Sequence, residues 1–152
     1  MTKMDSVQEQ QTEINRLYCE SNEMYHSLAM NYGISDSVLW ILYTLNERKR
    51  PCTPKEIGEV CSLSKQTVHS ALQSLERGGY LAITDSAHNR KNKLAELTEK
   101  GRGLIGDTIA HIVEAELRAF SCMEEEERRE LLRLLEKYQV LMKKEADCLI
   151  SK

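Results

Sequence analysis

Between Thr53 and Gly79 the chain carries two helix starts and two helix stops in quick succession, and no other feature constrains its fold as tightly. Thr53 and Glu56 stand three apart as a capping box, and Pro54 occupies the first helical position, where its missing N–H costs nothing. The short helix they start runs to about Val60 or Cys61. Ser62-Leu63-Ser64 then reads as a tight turn, with Ser64 capping a helix over Lys65–Arg77 that buries Val68, Ala71, Leu72 and Leu75 and stops at Gly78-Gly79. Tyr80–Thr84 and Lys93–Leu97 read as two strands joined by a polar turn, a hairpin with a basic tip. Two short helices across a tight turn, followed by a hairpin, predict a winged helix-turn-helix.

The rest of the sequence surrounds this element with longer helices. Aromatic residues at 5%, two Pro and seven Gly in 152 residues suit a mainly α chain better than a β-sandwich. Apolar residues recur at helical spacing from about Gln10 to Tyr32, with Gly33 as the stop. Ser35 caps a second helix whose Val38, Leu39, Ile41, Leu42 and Leu45 cover adjoining faces, so that helix is expected to be buried on more than one side, and Arg48, Lys49 and Arg50 end it. Thr98 caps a fifth helix expected to run unbroken to Phe120, and Ser121 and Glu124 read as the capping box of a sixth, with Glu124–Glu127 in its first turns. Its stripe from Leu131 to Ile150 lies close to a heptad seam that one helix cannot cover. The expectation is one chain, 1–152, of about six helices and a two-stranded wing: a winged region over 47–102, and helices over 10–32 and 103–150 that hold two copies together. The longest apolar run, Val38–Tyr43, is far too short to cross a membrane, and the polar start Met1–Glu13 has no signal-peptide core, so a cytoplasmic protein is expected.

A formal net charge of −3 hides a segregation along the chain. Residues 1–46 carry −4, residues 47–102 carry +4 and residues 103–152 carry −3. A basic centre between acidic flanks points to one face that meets an anion. On that centre, Lys65, Gln66, Thr67, His69, Ser70 and Gln73 lie opposite the buried stripe of the second winged-region helix, as a helix entering the major groove of double-stranded DNA requires. Thr53, Lys55 and Ser64 mark helix N-termini suited to phosphates, and Arg90, Lys91 and Lys93 on the hairpin would reach backbone or minor groove.

The stretch from Ser62 through Lys65-Gln66-Thr67-Val68-His69 to Gly78-Gly79-Tyr80-Leu81, the hairpin, and the closing Leu97-Thr98-Glu99-Lys100-Gly101 resemble the MarR family of bacterial winged-helix regulators. The resemblance implies a homodimer whose first and last helices interlock, paired recognition helices and wings on one pseudo-palindromic operator, repression by occlusion, and release by a small-molecule effector. In one place the chain departs from the family: the usual Asp-x-Arg of the wing is Asn89-Arg90-Lys91 here, and Lys lacks the fork of Arg. A winged-helix protein-interaction module without specific DNA binding is the alternative, which the clustering of Lys65, Arg90 and Lys91 near Gln66 disfavours.

Met24, Tyr25, Trp40, Tyr43 and His111 are the candidate lining of an effector pocket. Cys19 is the candidate redox residue, and Cys19, Glu23, His26 and His111 are the only set that could converge on a metal, but Leu39 and Trp40 stand where zinc-sensing relatives place ligands. Five widely spaced cysteines without a Cys-x-x-Cys indicate reduced thiols. With no phosphate loop and no nucleophile beside a base, no catalytic residue, metal or cofactor is expected, and the protein is read as a regulator rather than an enzyme.

Overall fold

In the computed structural model, which describes residues 6–87 and 92–151, seven helices and one hairpin follow in the order α1 (Val7–Asn31), α2 (Asp36–Arg48), α3 (Pro54–Cys61), α4 (Lys65–Arg77), β1 (Leu81–Asp85), β2 (Lys93–Leu97), α5 (Glu99–Asp107), α6 (Ile109–Ser121) and α7 (Glu125–Ile150). The chain divides into two compact units, 6–112 and 113–151. No described helix is long and apolar enough to cross a membrane.

The first unit is built on α2. Ser35 accepts the N–H of Val38 at 3.3 Å and starts it, and Leu39, Ile41, Leu42 and Leu45 are each at most 2% exposed. A helix with so much of its surface apolar must be covered from several directions. Here α1, α3, α4 and α5 all pack on it. Of the three basic residues expected to end α2, only Arg48 lies in the last turn; Lys49 is the C-cap in the left-handed conformation (φ 52°), and Arg50 has left the helix.

The helix-turn-helix follows the capping rules read from the sequence. The Thr53 hydroxyl accepts the Glu56 N–H at 3.2 Å while the Glu56 carboxylate accepts the Thr53 N–H at 2.8 Å. Arg50 adds an ion pair to Glu56 at 2.8 Å. Arg50, together with the Thr53 N–H, holds the Glu56 carboxyl down at about 2 against an ordinary 4.5. The turn is closed by Ser62 in the left-handed conformation (φ 53°), and Ser64 accepts the Thr67 N–H at 3.1 Å to start α4. Val68, Ala71, Leu72 and Leu75 are buried, so α4 packs through the stripe read from the sequence.

In the wing, β1 and β2 pair antiparallel with Leu81 opposite Leu97 and Asp85 opposite Lys93, a register that begins one residue later than the expected Tyr80. A third piece of backbone joins them: Cys52 donates to Ala95 O at 3.1 Å and accepts from Ala95 N at 2.8 Å, an isolated bridge that ties the α2–α3 connection to the wing. From the other side, Thr98 donates to Gly79 O and Lys100 to Gly78 O, both at 2.7 Å, while the Lys100 ammonium sits 4.5 Å over the Tyr80 ring. Gly101 lies against the Tyr80 carbonyl so closely that a Cβ there would overlap its oxygen.

Three helix boundaries also differ from expectation. A capping box between Ser6 and Glu9 starts α1 at Val7, ahead of the expected Gln10. The unbroken fifth helix is two, because Thr108 leaves helical geometry and its buried hydroxyl donates to Leu104 O at 2.7 Å, competing with the regular ladder next to two glycines. The last helix is capped by Glu124, whose N–H is accepted by the Glu127 carboxylate at 2.9 Å; Ser121 instead ends α6 and donates to Arg118 O. The second unit holds the remainder of α6 together with α7, and α7 buries none of its residues.

Two glycine substitutions should act in opposite directions. Gly101→Ala should lower unfolding stability by more than about 2 kcal/mol, since overlap with backbone cannot be relieved by a rotamer change, whereas Gly103→Ala, where a Cβ meets nothing within 4 Å, should raise it by about 0.5–1 kcal/mol. Equal signs in denaturant titrations would contradict the packing of α5 on Tyr80. For Glu56, the folded-state value lies below the unfolded one, so its contribution is complete above about pH 4.5 and is lost as pH falls toward about 2. Glu56→Gln should flatten the pH dependence of stability in that window. At neutral pH it should cost under about 1 kcal/mol, because both partners are more than a third exposed.

Candidate nucleic-acid interface

One face of the first unit collects the residues that the sequence nominated for DNA. On α4, Lys65, Gln66, Thr67, His69, Ser70 and Gln73 are all exposed, opposite the buried Val68–Leu75 stripe. The geometry follows from period: with Val68, Ala71, Leu72 and Leu75 turned onto α2 and α3, the intervening positions have nowhere to point but outward. Side chains of this kind, amide, imidazole and hydroxyl, donate to and accept from base edges, while Lys65 supplies charge at the first turn.

The hydroxyls divide into two groups. Thr53 and Ser64 spend their oxygens on the first turns of α3 and α4; Ser64 Oγ also lies 2.8 Å from Thr67 Oγ1. They position the helices and leave the outer side chains to meet a ligand. Lys55, at the start of α3, is 86% exposed and only loosely paired with Glu59 at 3.9 Å. Lys93 is held by Asp85, the last pair of the hairpin before its connecting turn, so its charge is balanced locally. Arg90 and Lys91 fall outside the described residues.

A trough alongside α4 brings in residues the sequence did not nominate. The N-terminal turn of α2 lies against α4 so that Ser35, Ser37 and Ser74 share a groove of about 450 Å³ with Gln66, Thr67 and Ser70. Ser35 was visible as a cap, but its neighbourhood to α4 is a tertiary fact that no spacing along the chain encodes.

The expected effector residues are only partly brought together. The Tyr25 and Trp40 rings lie 4.9 Å apart and those of Trp40 and Tyr43 5.8 Å apart, both tilted, joining α1 to α2. Met24 is 53% exposed, and His111 is exposed on α6. His26, considered for metal, holds Asp36 at the start of α2 with Nδ1 2.9 Å from Oδ1. Among the described residues no three His, Cys, Asp or Glu side chains gather as a metal site. Cys19 is exposed. Burial pushes the thiols of Cys52 and Cys61 up, away from thiolate reactivity, and Cys61 is further engaged by Thr44 at 3.2 Å.

Known proteins share this sequence pattern and this geometry. Residues 32–91, from the end of α1 through the first strand, match the MarR family. The HTH-type transcriptional regulator PecS of Dickeya dadantii is 31% identical over 106 residues, 68% of this chain and 64% of PecS. Matches to such relatives span between 43% and 64% of their full lengths. Among solved structures, NMB1585, a MarR family regulator from Neisseria meningitidis, superposes with a TM-score of 0.75 over 95% of this chain and 98% of its own at 24% identity. BpsR of Bordetella bronchiseptica, described for the regulation of its DNA binding by 6-hydroxynicotinic acid, gives 0.68 over 91% of this chain and 96% of its own at 17% identity. The structural likenesses establish a shared fold; the match over 32–91 falls on the capped helix-turn-helix and the start of its wing, and over that element the chain is similar to the MarR family.

Proposed function

We propose that the protein is a homodimeric transcription regulator that reads double-stranded DNA with α4, occludes a pseudo-palindromic operator and is released from it by a small-molecule effector. The observation that carries this reading is α4 itself: a capped, rigidly seated helix with a wholly polar outer face, Lys65 to Gln73, on the basic part of an otherwise acidic chain. A helix so held can enter a major groove without first having to order itself. The relatives support the same reading, since PecS is an HTH-type transcriptional regulator and the DNA binding of BpsR responds to a small molecule.

Dimerisation is supported by what α7 leaves uncovered. Leu131, Leu134, Leu135, Leu141 and Met142 are between 38% and 53% exposed, and Leu149 and Ile150 more than 70%. Apolar surface on that scale, repeating near a heptad along 26 residues, suits a partner helix of a second copy. An obligate interface of this sort buries roughly 2,000 Å² or more. Two copies would also present two recognition helices to one duplex, which a two-fold operator matches.

The DNA reading predicts that two substitutions fail differently. Gln66→Ala should cost about 1–3 kcal/mol on the operator and little on unrelated DNA. Lys55→Ala should weaken both alike and reduce the slope of log affinity against log salt by about two in a dimer, since each protomer then leaves one more phosphate unneutralised. An unchanged operator preference in the Gln66 variant would show that α4 does not read bases. For the dimer, sedimentation should give the native protein twice the 17.5 kDa of one chain, and Leu134→Glu with Leu141→Glu should halve it. A native protein sedimenting at one chain mass would refute the dimer.

A further inference from the structure

The outer face of α4 has an order of its own. At about 100° of turn per residue, Gln66, Ser70, Gln73 and Arg77 stand at i, i+4, i+7 and i+11 and form one ridge. That ridge lies opposite the midline of the buried Val68, Ala71, Leu72 and Leu75, so it projects furthest from the helices on which α4 packs. Lys65 and His69 fall on one flank of it, while Thr67 and Ser74 line the trough beside α2 on the other.

Along the ridge the chemistry repeats. Two carboxamides stand two turns apart with a hydroxyl between them, and all three residues are exposed. Among the described residues, no hydrogen bond occupies the side chains of Gln66, Ser70 or Gln73. Arg77, the one guanidinium on this helix, stands in its last turn and donates its Nε–H to the Gln73 carbonyl at 3.4 Å. Seven residues at 1.5 Å of rise set the glutamines about 10.5 Å apart along the axis. Buried residues next to both, Val68 near Gln66 and Leu72 and Leu75 near Gln73, hold that stretch against α2 and α3. Base pairs rise about 3.4 Å per step along the duplex axis and lie somewhat further apart along the groove, so the interval between the glutamines spans about two or three steps.

We propose that this ridge selects its duplex by two A·T pairs in each half-site, about two or three base steps apart, with Gln66 on one adenine and Gln73 on the other. Such readout presupposes the DNA-reading function proposed above and assigns to it the bases that its operator must carry. A glutamine carboxamide matches the major-groove edge of adenine with two hydrogen bonds, its N–H donating to N7 and its oxygen accepting from the N6 amine. A guanine at the same place presents N7 and O6, both acceptors, so the carboxamide oxygen would face another oxygen. Arginine is the commonest reader of guanine, and the ridge carries none before its last position. The Ser70 hydroxyl between the glutamines both donates and accepts, so the pair it faces is left unspecified.

The test begins with selection by the full native chain from a random duplex library, followed by affinities for every single-pair change in the selected site at one salt concentration. The selected half-sites should share two A·T pairs at that spacing, and replacing either with G·C should weaken binding about tenfold or more. Gln66→Ala should lose the penalty at one pair and keep it at the other, and Gln73→Ala should do the reverse. Alanine favours a helix at exposed positions, so both variants should melt no lower than the native protein. An adenine analogue lacking N7 needs no substitution in the protein: at each pair it should weaken native binding and have no further effect on the matching variant. A guanine required at either pair, loss of the same pair in both variants, or a variant that keeps both native penalties would overturn the proposal and leave a sequence-specific regulator in place. A chain that binds every duplex alike would remove the DNA-reading function itself, and this readout with it.

Discussion

The face of α4 that is proposed to meet DNA depends on the burial of α2. Its four innermost side chains, Leu39, Ile41, Leu42 and Leu45, are almost wholly withdrawn from water, and α1, α3, α4 and α5 each take their position by covering one of its faces. At roughly 1.5–3 kcal/mol for each fully buried aliphatic side chain, these four residues stabilise the unit substantially. It also determines direction. Because α4 docks through Val68, Leu72 and Leu75, the outward direction of Gln66, His69 and Gln73 is a by-product of apolar packing and requires no polar contact to hold it. The outer face of α4 is therefore held in place from behind, with Thr67 alone engaged with the cap residue Ser64.

A second layer of constraint is backbone-to-backbone. The wing is a two-stranded hairpin, marginal on its own in water. It is steadied from one side by the Cys52–Ala95 bridge and from the other by Thr98, Lys100 and Gly101 docking on Gly78-Gly79-Tyr80. The two stretches that carry the family resemblance thus touch each other in space. Their sequence similarity to the family is the trace of one joint, the junction where α4 ends and the wing is attached.

How much of this was legible depended on whether the signal was local. Caps are local, and Ser35, Thr53, Ser64 and Thr98 all start helices where the sequence placed them. The buried stripe of α4 is periodic and was equally plain. Failures came where a weaker local signal met a tertiary one. The Thr108 break was hidden because a threonine inside an apolar stripe looks like any other helical residue until its hydroxyl turns back on Leu104. The Ser6–Glu9 box is hard to read from sequence because the polar residues around it show no apolar period. Cys52 pairs through a single residue, which is too short for any alternation to reveal. Ser37 and Ser74 share the trough with Gln66 although nothing along the chain relates them.

The close approach of Gly101 to the Tyr80 carbonyl has a bearing on how genetic data for such a protein would be interpreted. Every coding change away from glycine adds a side chain, so this position has no conservative neighbour in mutational space. On the proposed function, a library screened for loss of operator binding would return Gly101 alongside the exposed residues of α4, although Gly101 is buried and has no side chain to offer a base. Scoring protein abundance in the same library would separate the two groups, because variants at Gly101 would be depleted from the cell while those at Gln66 would accumulate normally and only lose operator preference.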